Sequence, residues 1–552
     1  MNDMSRMQGL VQAIEQGAAA SSIEIGRILD VSGSGSRLTL DGPILTLLQD
    51  SSDSALAMAG NIGSHVKIRV GRSWLIGVVR SMRLAEAESD LILADVEFLG
   101  EGLAVGDDVR FTSFRRGVTR YPVPGTRVFP VDCEDLTQMF ATASRPHIEV
   151  GTVYPTSDVR AALYIDALLG KHFALLGSTG TGKSTATALI LHRICELAPN
   201  GHIVMIDPHG EYAEAFKEKG AIFDVGNLAM PYWLMNFEEH CEVMVTSGGD
   251  QRQADCDILA KCLLAARARN RVAEGLGKIT VDSPIPYLLT DLNSIIQNEM
   301  GKLDKAGNTA PYMRLKTKID EIRADPRYNF MFSGMLVGDC MAEFIARIFR
   351  LPGDGKPISI IDVSGVPSDI VSVVVAMLSR MVFDYAIWAR SEEQHPVLLV
   401  CEEAHRYVPS DNERGGRAVR GMLERIAKEG RKYGVSLGLI TQRPSDLAEG
   451  VLSQCGTIIA MRLNNDRDKN FVKSAMPEGA RGFLDSIPAL RNREAIICGE
   501  GVSIPIRVSF DNLDSEMCPA SNDPVFSELW KRTGNEALIL ARVINRWRSQ
   551  GR

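Results

Sequence analysis

Ten cysteines are present, yet no two form a C-x-x-C pair and no His/Cys cluster has the spacing of a zinc site. That excludes a zinc module and a stapled secreted scaffold. Cys195, Cys256, Cys262 and Cys401 stand in apolar contexts and read as free buried thiols of a reducing compartment. An unbroken apolar span is also missing. The longest apolar stretch, residues 370–389, is interrupted by Arg380 and Asp384, so a buried helix of an α/β domain is expected there rather than a membrane crossing. The first twenty residues contain Arg6, Glu15 and only short apolar runs; no secretory signal is read, and a cytoplasmic location with no membrane partner is expected. Excess positive charge is lacking too. A net charge of −8 argues against a generally basic coat for nucleic acid, but leaves room for a few basic residues that grip a strand. There is no internal repeat and no low-complexity tract.

What is present is a globular composition, 45% hydrophobic and 24% charged, over 552 residues. That length predicts roughly two to four domains. The texture changes along the chain. Residues 1–20 read as a short leader, and residues 23–131 as short β-type runs between Gly, Ser and Asp, the pattern of a small β-barrel. The stretch 120–131 closes that segment, with prolines expected to end strands rather than continue them. From about residue 145 strands alternate with helices. Residues 238–350 carry apolar residues at spacings of three and four and read as an inserted helical subdomain. Near-continuous apolar strands then return at 358–363, 397–403, 435–441 and 456–463, followed by a hairpin at 494–510. The expected division is 1–140, leader and barrel; 141–237, first part of an α/β core; 238–350, helical; 351–515, second part of the core; and 516–552, a terminal helical segment. The fold class is therefore α/β, with a mainly parallel sheet.

The densest chemistry is "LLGSTGTGKS", residues 175–184. Gly177, Gly182, Lys183 and Ser184 satisfy G-x-x-x-x-G-K-[ST] between an expected strand and an expected helix. The glycines let the backbone curl so that successive N–H groups point at phosphate oxygens, and the helix N-terminus adds partial positive charge. Gly177, Ser178, Thr179, Gly180, Thr181, Gly182, Lys183, Ser184 and Thr185 are the expected nucleotide-binding residues. Lys183 would reach the β and γ phosphates of ATP, and the Ser184 hydroxyl would sit on Mg²⁺.

A second acidic feature turns binding into expected hydrolysis. "VLLVCEEAH", residues 397–405, is an apolar strand ending in two carboxylates. Glu402 is placed to hold the magnesium shell and Glu403 to orient or activate the attacking water, because adjacent side chains diverge at a strand end. Two glutamates can also simply mark where a strand stops. Asp207 and His209, after the strand 202–207, could touch the metal shell or form a turn.

The ordered set "LLGSTGTGKS", "IDPHGEY" (206–212), "VCEEAHRYVP" (400–409), "EGRKYGVSLGLITQRP" (429–444) and "MRLNNDRDKNFV" (461–472) resembles the HerA family of hexameric DNA-translocating ATPases, relatives of the FtsK-like motors. The resemblance covers about residues 145–510, and "EIGRILDV" (24–31) is similar to the start of the HAS-barrel that precedes the motor. It implies a RecA-like P-loop core and a homo-hexamer acting on double-stranded DNA with ATP and Mg²⁺. By position, Gln442 looks like the polar sensor of γ-phosphate, and Arg431 like an arginine finger offered to a neighbouring subunit, with Lys432 as the other candidate. An exposed cation at a helix end is the plain alternative for Arg431.

Residues 410–434 concentrate cations: Arg414, Arg417, Arg420, Arg425, Lys428, Arg431 and Lys432. Gly415 and Gly416 loosen its start, so Arg414 and Arg417 could follow a phosphate backbone; a solvated helix face with i, i+4 pairs is the alternative. Outside the ATPase motifs there is no D…E-x-K or HNH-like nuclease cluster. The resemblance therefore implies a separate partner, a nuclease or an NAD-consuming effector docking on the barrel, in DNA end processing or antiviral defence. Two other readings stay open: a scaffold that binds ATP to organise an effector, and a conjugation or secretion coupling ATPase, which predicts a membrane anchor.

Overall fold

The computed structural model describes residues 20–85, 90–105, 109–142, 145–302, 308–334, 336–411, 416–476, 478–520, 524–531, 534 and 536–549. The leader lies almost wholly outside the described residues, and Arg414 and Gly415 lie outside them as well.

Seven strands come first: β1 Gly26–Val31, β2 Gly35–Asp41, β3 His65–Val70, β4 Ser73–Leu84, β5 Leu91–Ala104, β6 Phe111–Arg116 and β7 Arg127–Pro130. Six of them close in the order β2-β1-β7-β3-β4-β5, with β5 pairing back onto β2, and β6 extends β5 on its other edge. Alternation explains the closure. In β2, Leu38 and Leu40 are fully buried while Arg37 and Thr39 face outward. With Ile28, Val66, Ile68, Leu75, Val79, Val96 and Val128 they form one aliphatic core, each side chain contributing about 1.5–3 kcal/mol. Pro130 ends a strand, as expected of the proline-rich stretch. Residues 127–130 are themselves the closing strand, paired with both β1 and β3, because Pro130 sits at the strand's last position, where its missing N–H interrupts little.

The strands that follow are β8 His147–Val153, β9 Arg160–Tyr164, β10 Phe173–Leu176, β11 His202–Asp207, β12 Gly220–Phe223 and β13 Ile358–Asp362. Then come β14 Val397–Cys401, β15 Val435–Thr441, β16 Thr457–Met461, β17 Glu494–Gly499 and β18 Ile506–Phe510. The chain divides into two compact units. One comprises the described residues up to Ile194 with Gln442–Ser445 and Cys455–Leu513, and the other Cys195–Thr441, Asp446–Gln454 and the described residues from Asp514 onward.

In the first unit, beside the barrel, β10 pairs in parallel with β16, and β16, β17, β18, β8 and β9 continue as antiparallel neighbours. In the second unit the order is β12-β13-β11-β14-β15, every pair parallel. Their near-continuous burial matches the apolar sequences of β14 (VLLVC) and β15 (VSLGLIT), as a parallel sheet covered on both faces requires. The architecture is α/β.

Between Phe237 and Phe349 the described elements are helices, among them Asp250–Arg267, Leu289–Gly301 and Ala310–Ala324. Arg267 is buried inside this block and donates to the carbonyls of Trp233 (3.2 Å), Met235 (2.8 Å), Val281 and Ser283 (2.5 Å each). Val371–Ser391 is long and apolar enough to cross a membrane by length and composition. Its helix Val371–Trp388 is a core element, with Arg380 bound to Glu239 (2.8 Å) and Asp384 (3.1 Å). All ten cysteines are free; Cys195, Cys262 and Cys401 are buried and Cys256 is partly so.

Candidate nucleotide site

The phosphate loop leaves β10 and enters the helix Lys183–Leu197 directly. Gly180 and Gly182 take φ of +78° and +93°, backbone that side chains rarely adopt. A Cβ at Gly177 would stand 2.9 Å from Met461 Cβ, and one at Gly182 would stand 3.2 Å from Arg493 Cγ. The loop is held from outside. Ser178 N–H donates to Arg462 O (3.0 Å), the Ser178 hydroxyl accepts from Asn464 N–H (3.2 Å), and Arg493 N–H donates to Thr181 O (2.9 Å). With Ser178 N–H used in this way, the free cradle is the turn from Gly180 into the helix. The first helical residue, Lys183, is buried. The Thr179 hydroxyl donates to the amide oxygen of Gln442, so the residue that follows β15 touches the loop itself.

The second unit holds the acidic pair. β14 ends at Cys401, and both glutamates lie just beyond it rather than on the strand. Glu402 N–H donates to Ile206 O (3.1 Å), which extends the pairing with β11 by one bond. Glu403 has a φ of +50°, an outlier for a residue with a side chain, and such strain costs about 1–3 kcal/mol. The strain separates two buried carboxylates that would otherwise alternate on a strand. His405 stands beside Glu403: its Nδ1 is 3.2 Å from Glu403 Oε2 and 3.0 Å from Thr441 Oγ1, on the last residue of β15. Asp207 is fully buried, and its carboxylate accepts from the N–H groups of His209 (3.1 Å), Gly210 (2.9 Å) and Tyr212 (2.9 Å). Burial raises its pKa while those donors act against the rise. Of the two readings of the "DPHG" stretch, the geometry builds the turn.

In the cation-rich segment, Gly416 precedes the helix Arg417–Glu429, with Arg417 exposed at its first position. Arg420 pairs with Glu424 (2.9 Å) and Arg425 with Glu429 (3.5 Å), which accounts for two of the cations as an i, i+4 face. Arg431 and Lys432 are both exposed on the single turn Gly430–Tyr433 that follows.

A family model described as "Helicase HerA, central domain" matches residues 148–382. The DNA double-strand break repair helicase HerA of Pyrococcus furiosus is 27% identical over 494 residues, covering 81% of this chain and 84% of that protein. The Sulfolobus acidocaldarius protein of the same description is 26% identical over 433 residues, covering 76% and 79%. This chain carries a HerA central domain over those residues and is similar to HerA helicases over most of its length. Among solved structures, VirB4 of Thermoanaerobacter pseudethanolicus is similar at 15% identity and a TM-score of 0.49, covering 68% of this chain and 99% of that one. The fold assignment rests on the strands themselves.

With its phosphate loop and its HerA central domain, the chain is an ATP-hydrolysing enzyme. The HerA motifs fall in both units: the loop and Gln442 in the first, and Glu402, Glu403 and Arg431 in the second. Among the described residues no group of three or more His, Cys, Asp or Glu could hold a metal. A nucleotide-borne magnesium asks for fewer protein ligands than that, since it keeps waters and phosphate oxygens. Sequence reading passed over His405, although it lies two residues past Glu403 in the quoted motif, and over Arg462 and Arg493, which hold the loop from distant parts of the chain.

Proposed function

We propose that this ATPase is a cytoplasmic motor of the HerA type that translocates along double-stranded DNA as a homo-hexamer. It works with a separate nuclease or other effector in DNA end processing or antiviral defence. The observation that carries the reading is its likeness, over most of both chains, to helicases named for DNA double-strand break repair.

The residues supply a consistent division of labour. The turn from Gly180 into the helix presents backbone N–H groups and a helix N-terminus to the phosphates, and Lys183 neutralises their charge. The loop fits a phosphate tail because Gly180 and Gly182 take the positive φ that lets its backbone curl around one. Magnesium, held by the Ser184 hydroxyl and Glu402, would supply further positive charge to the phosphoryl oxygens. Glu403 orients the attacking water and accepts its proton, with the His405 ring nitrogen 3.2 Å from its carboxylate. Gln442, bonded to Thr179, reports the state of the loop to the chain that follows β15. Arg431 is offered from an exposed turn to a neighbouring subunit, which makes hydrolysis depend on assembly. Arg417 contributes non-specific phosphate contact.

The test is ATP hydrolysis by the purified protein with and without linear duplex DNA. Stimulation that disappears in Glu403→Gln, in a protein that still assembles, is the expected result. A rate indifferent to DNA, with and without a partner, would sink the motor.

A further inference from the structure

Within the first unit, away from the phosphate loop, a cavity of about 660 Å³ opens beside the barrel. Ile62, Val79, Phe140, Val153 and Phe483 give it apolar walls, and Arg80 and Arg507 bring two guanidinium groups to its lining. Each lies against an aromatic face, Arg80 3.7 Å from the centre of the Phe483 ring and Arg507 4.0 Å from that of Tyr154. Their charge is met by Glu97 (2.6 Å) and Glu494 (2.8 Å), neither of which lines the cavity; Asp485 is the acidic residue that does. Nε of Arg507 and Nδ1 of His65, both buried at the lining, have no hydrogen-bond partner among the described residues. A cavity with apolar walls, flat cationic groups and unmet buried nitrogens has the chemistry of a ligand site rather than of a packing gap.

The wall of this cavity runs into the phosphate loop. Gly482, Phe483, Asp485, Ser486 and Ala489 line it, and Gly482 is pressed so closely on the Arg80–Glu97 pair that a Cβ would stand 2.5 Å from Arg80 Nε. The same stretch continues to Leu490, whose carbonyl accepts from Arg462 (3.4 Å), and to Asn492, whose side-chain oxygen accepts from Arg462 Nη2 (3.0 Å). It ends at Arg493, whose N–H holds Thr181 O, while the carbonyl of Arg462 holds Ser178 N–H. One short segment thus has the cavity at one end and the loop at the other.

We propose that the cavity binds a small molecule with an acidic head, carboxylate or phosphate monoester, on a flat apolar body, and that its occupancy alters nucleotide handling at the phosphate loop. The acid meets Arg507 and Arg80, and the apolar body fills the space between Val79, Phe140 and Phe483. Only the second half of this statement rests on the loop binding ATP.

Benzoate and phenyl phosphate are suitable probes, titrated onto the full-length protein by calorimetry or ligand-observed NMR. Saturable binding of either is expected, weakened about tenfold or more in Arg507→Gln. Ala489→Trp, at an exposed position on the lining, fills the cavity without touching the core and is expected to weaken binding as much. At saturating probe the KM for ATP should shift about twofold or more in the wild type and stay constant in Ala489→Trp. Absence of binding at millimolar probe, or binding that both variants retain, overturns the site. Binding with an unchanged KM overturns the coupling alone.

Discussion

His405 Nδ1 lies 3.2 Å from Glu403 Oε2, and the same nitrogen lies 3.0 Å from Thr441 Oγ1. One imidazole thus ties the carboxylate beyond β14 to the end of β15. Glu403 occupies left-handed backbone, and its buried Oε2, which takes no hydrogen bond among the described residues, faces the ring nitrogen. Substituting Glu403→Gln is expected to lower kcat by about 10²–10⁴ with ATP binding retained. His405→Ala should lower kcat by about 10–100-fold with little change in KM, and His405→Asn, which restores a donor near the same position, should recover part of that loss. Equal losses in His405→Asn and His405→Ala would argue for bulk packing instead.

Lys183→Ala removes the charge that the loop directs at the β and γ phosphates. Lys183 is the first residue of its helix, where alanine is well tolerated, so the fold should survive. The expected outcome is loss of ATP binding, read with a fluorescent nucleotide, together with every partner activity that depends on hydrolysis. A variant that binds ATP as the wild type does would remove Lys183 from the site.

Thr179 and Gln442 form the contact through which the loop could report its state. Gln442→Ala is expected to leave DNA-independent hydrolysis within a few-fold of wild type and to abolish its stimulation by duplex. Thr179→Val, which keeps the loop's shape and removes the same hydrogen bond, should behave alike. If Thr179→Val keeps full stimulation while Gln442→Ala loses it, Gln442 acts through some other neighbour.

These sites differ in how legible they were. The phosphate loop could be read because its chemistry is local: glycines, lysine and serine at fixed spacing between a strand and a helix. β14 and β15 were equally plain, since a strand buried on both faces must be apolar throughout. β2 and β7 carry weak local signals for opposite reasons. Residues 35–41 have only two core leucines among polar neighbours, and residues 127–130 sit inside a proline-rich stretch whose pairing with β1 and β3 is non-local. The supports of the loop, Arg462 and Arg493, were invisible because they act through backbone groups brought in from 280 or more residues away, which no spacing rule records. Glu403 was recognised but not its strain, because φ is set by what the next turn must do and not by the residue.

The barrel hides an ion pair that composition does not announce. Lys67 and Asp135 are both fully buried, with Nζ 2.5 Å from Oδ2, and Asp135 also closes the capping box of the helix Cys133–Met139 with Asp132. Removing one partner leaves an uncompensated charge in the core, which typically costs about 3–5 kcal/mol. Asp135→Ala should therefore lower the midpoint of chemical denaturation sharply. The double variant Lys67→Met, Asp135→Leu should recover much of the loss, because two apolar groups leave no buried charge. A double variant as unstable as the single would show that the helix cap, not the pair, carries the stability.

His65 gives a pH dependence whose sign can be worked out. Burial, with Arg80 adding to it, pushes its imidazole down to about 4 from an ordinary value near 6.5. Above pH 6.5 the residue is neutral in both the folded and the unfolded chain and contributes no difference. As pH falls below 6.5 the unfolded chain takes up a proton that the folded chain refuses until about pH 4, so stability is lost across that window. The slope is about 1.4 kcal/mol per pH unit. Asp135 works in the opposite direction, since burial raises it to about 6 and the folded barrel binds its proton first. The two groups oppose each other between roughly pH 6 and pH 4 in the wild type, and the raw melting curve blurs both. Comparing wild type with His65→Asn cancels Asp135. The stability of the wild type relative to the variant should fall steadily from pH 6.5 to pH 4, by about 3 kcal/mol in all. A difference that stays constant over that range would mean that the folded protein lets His65 take its proton as readily as the unfolded chain does.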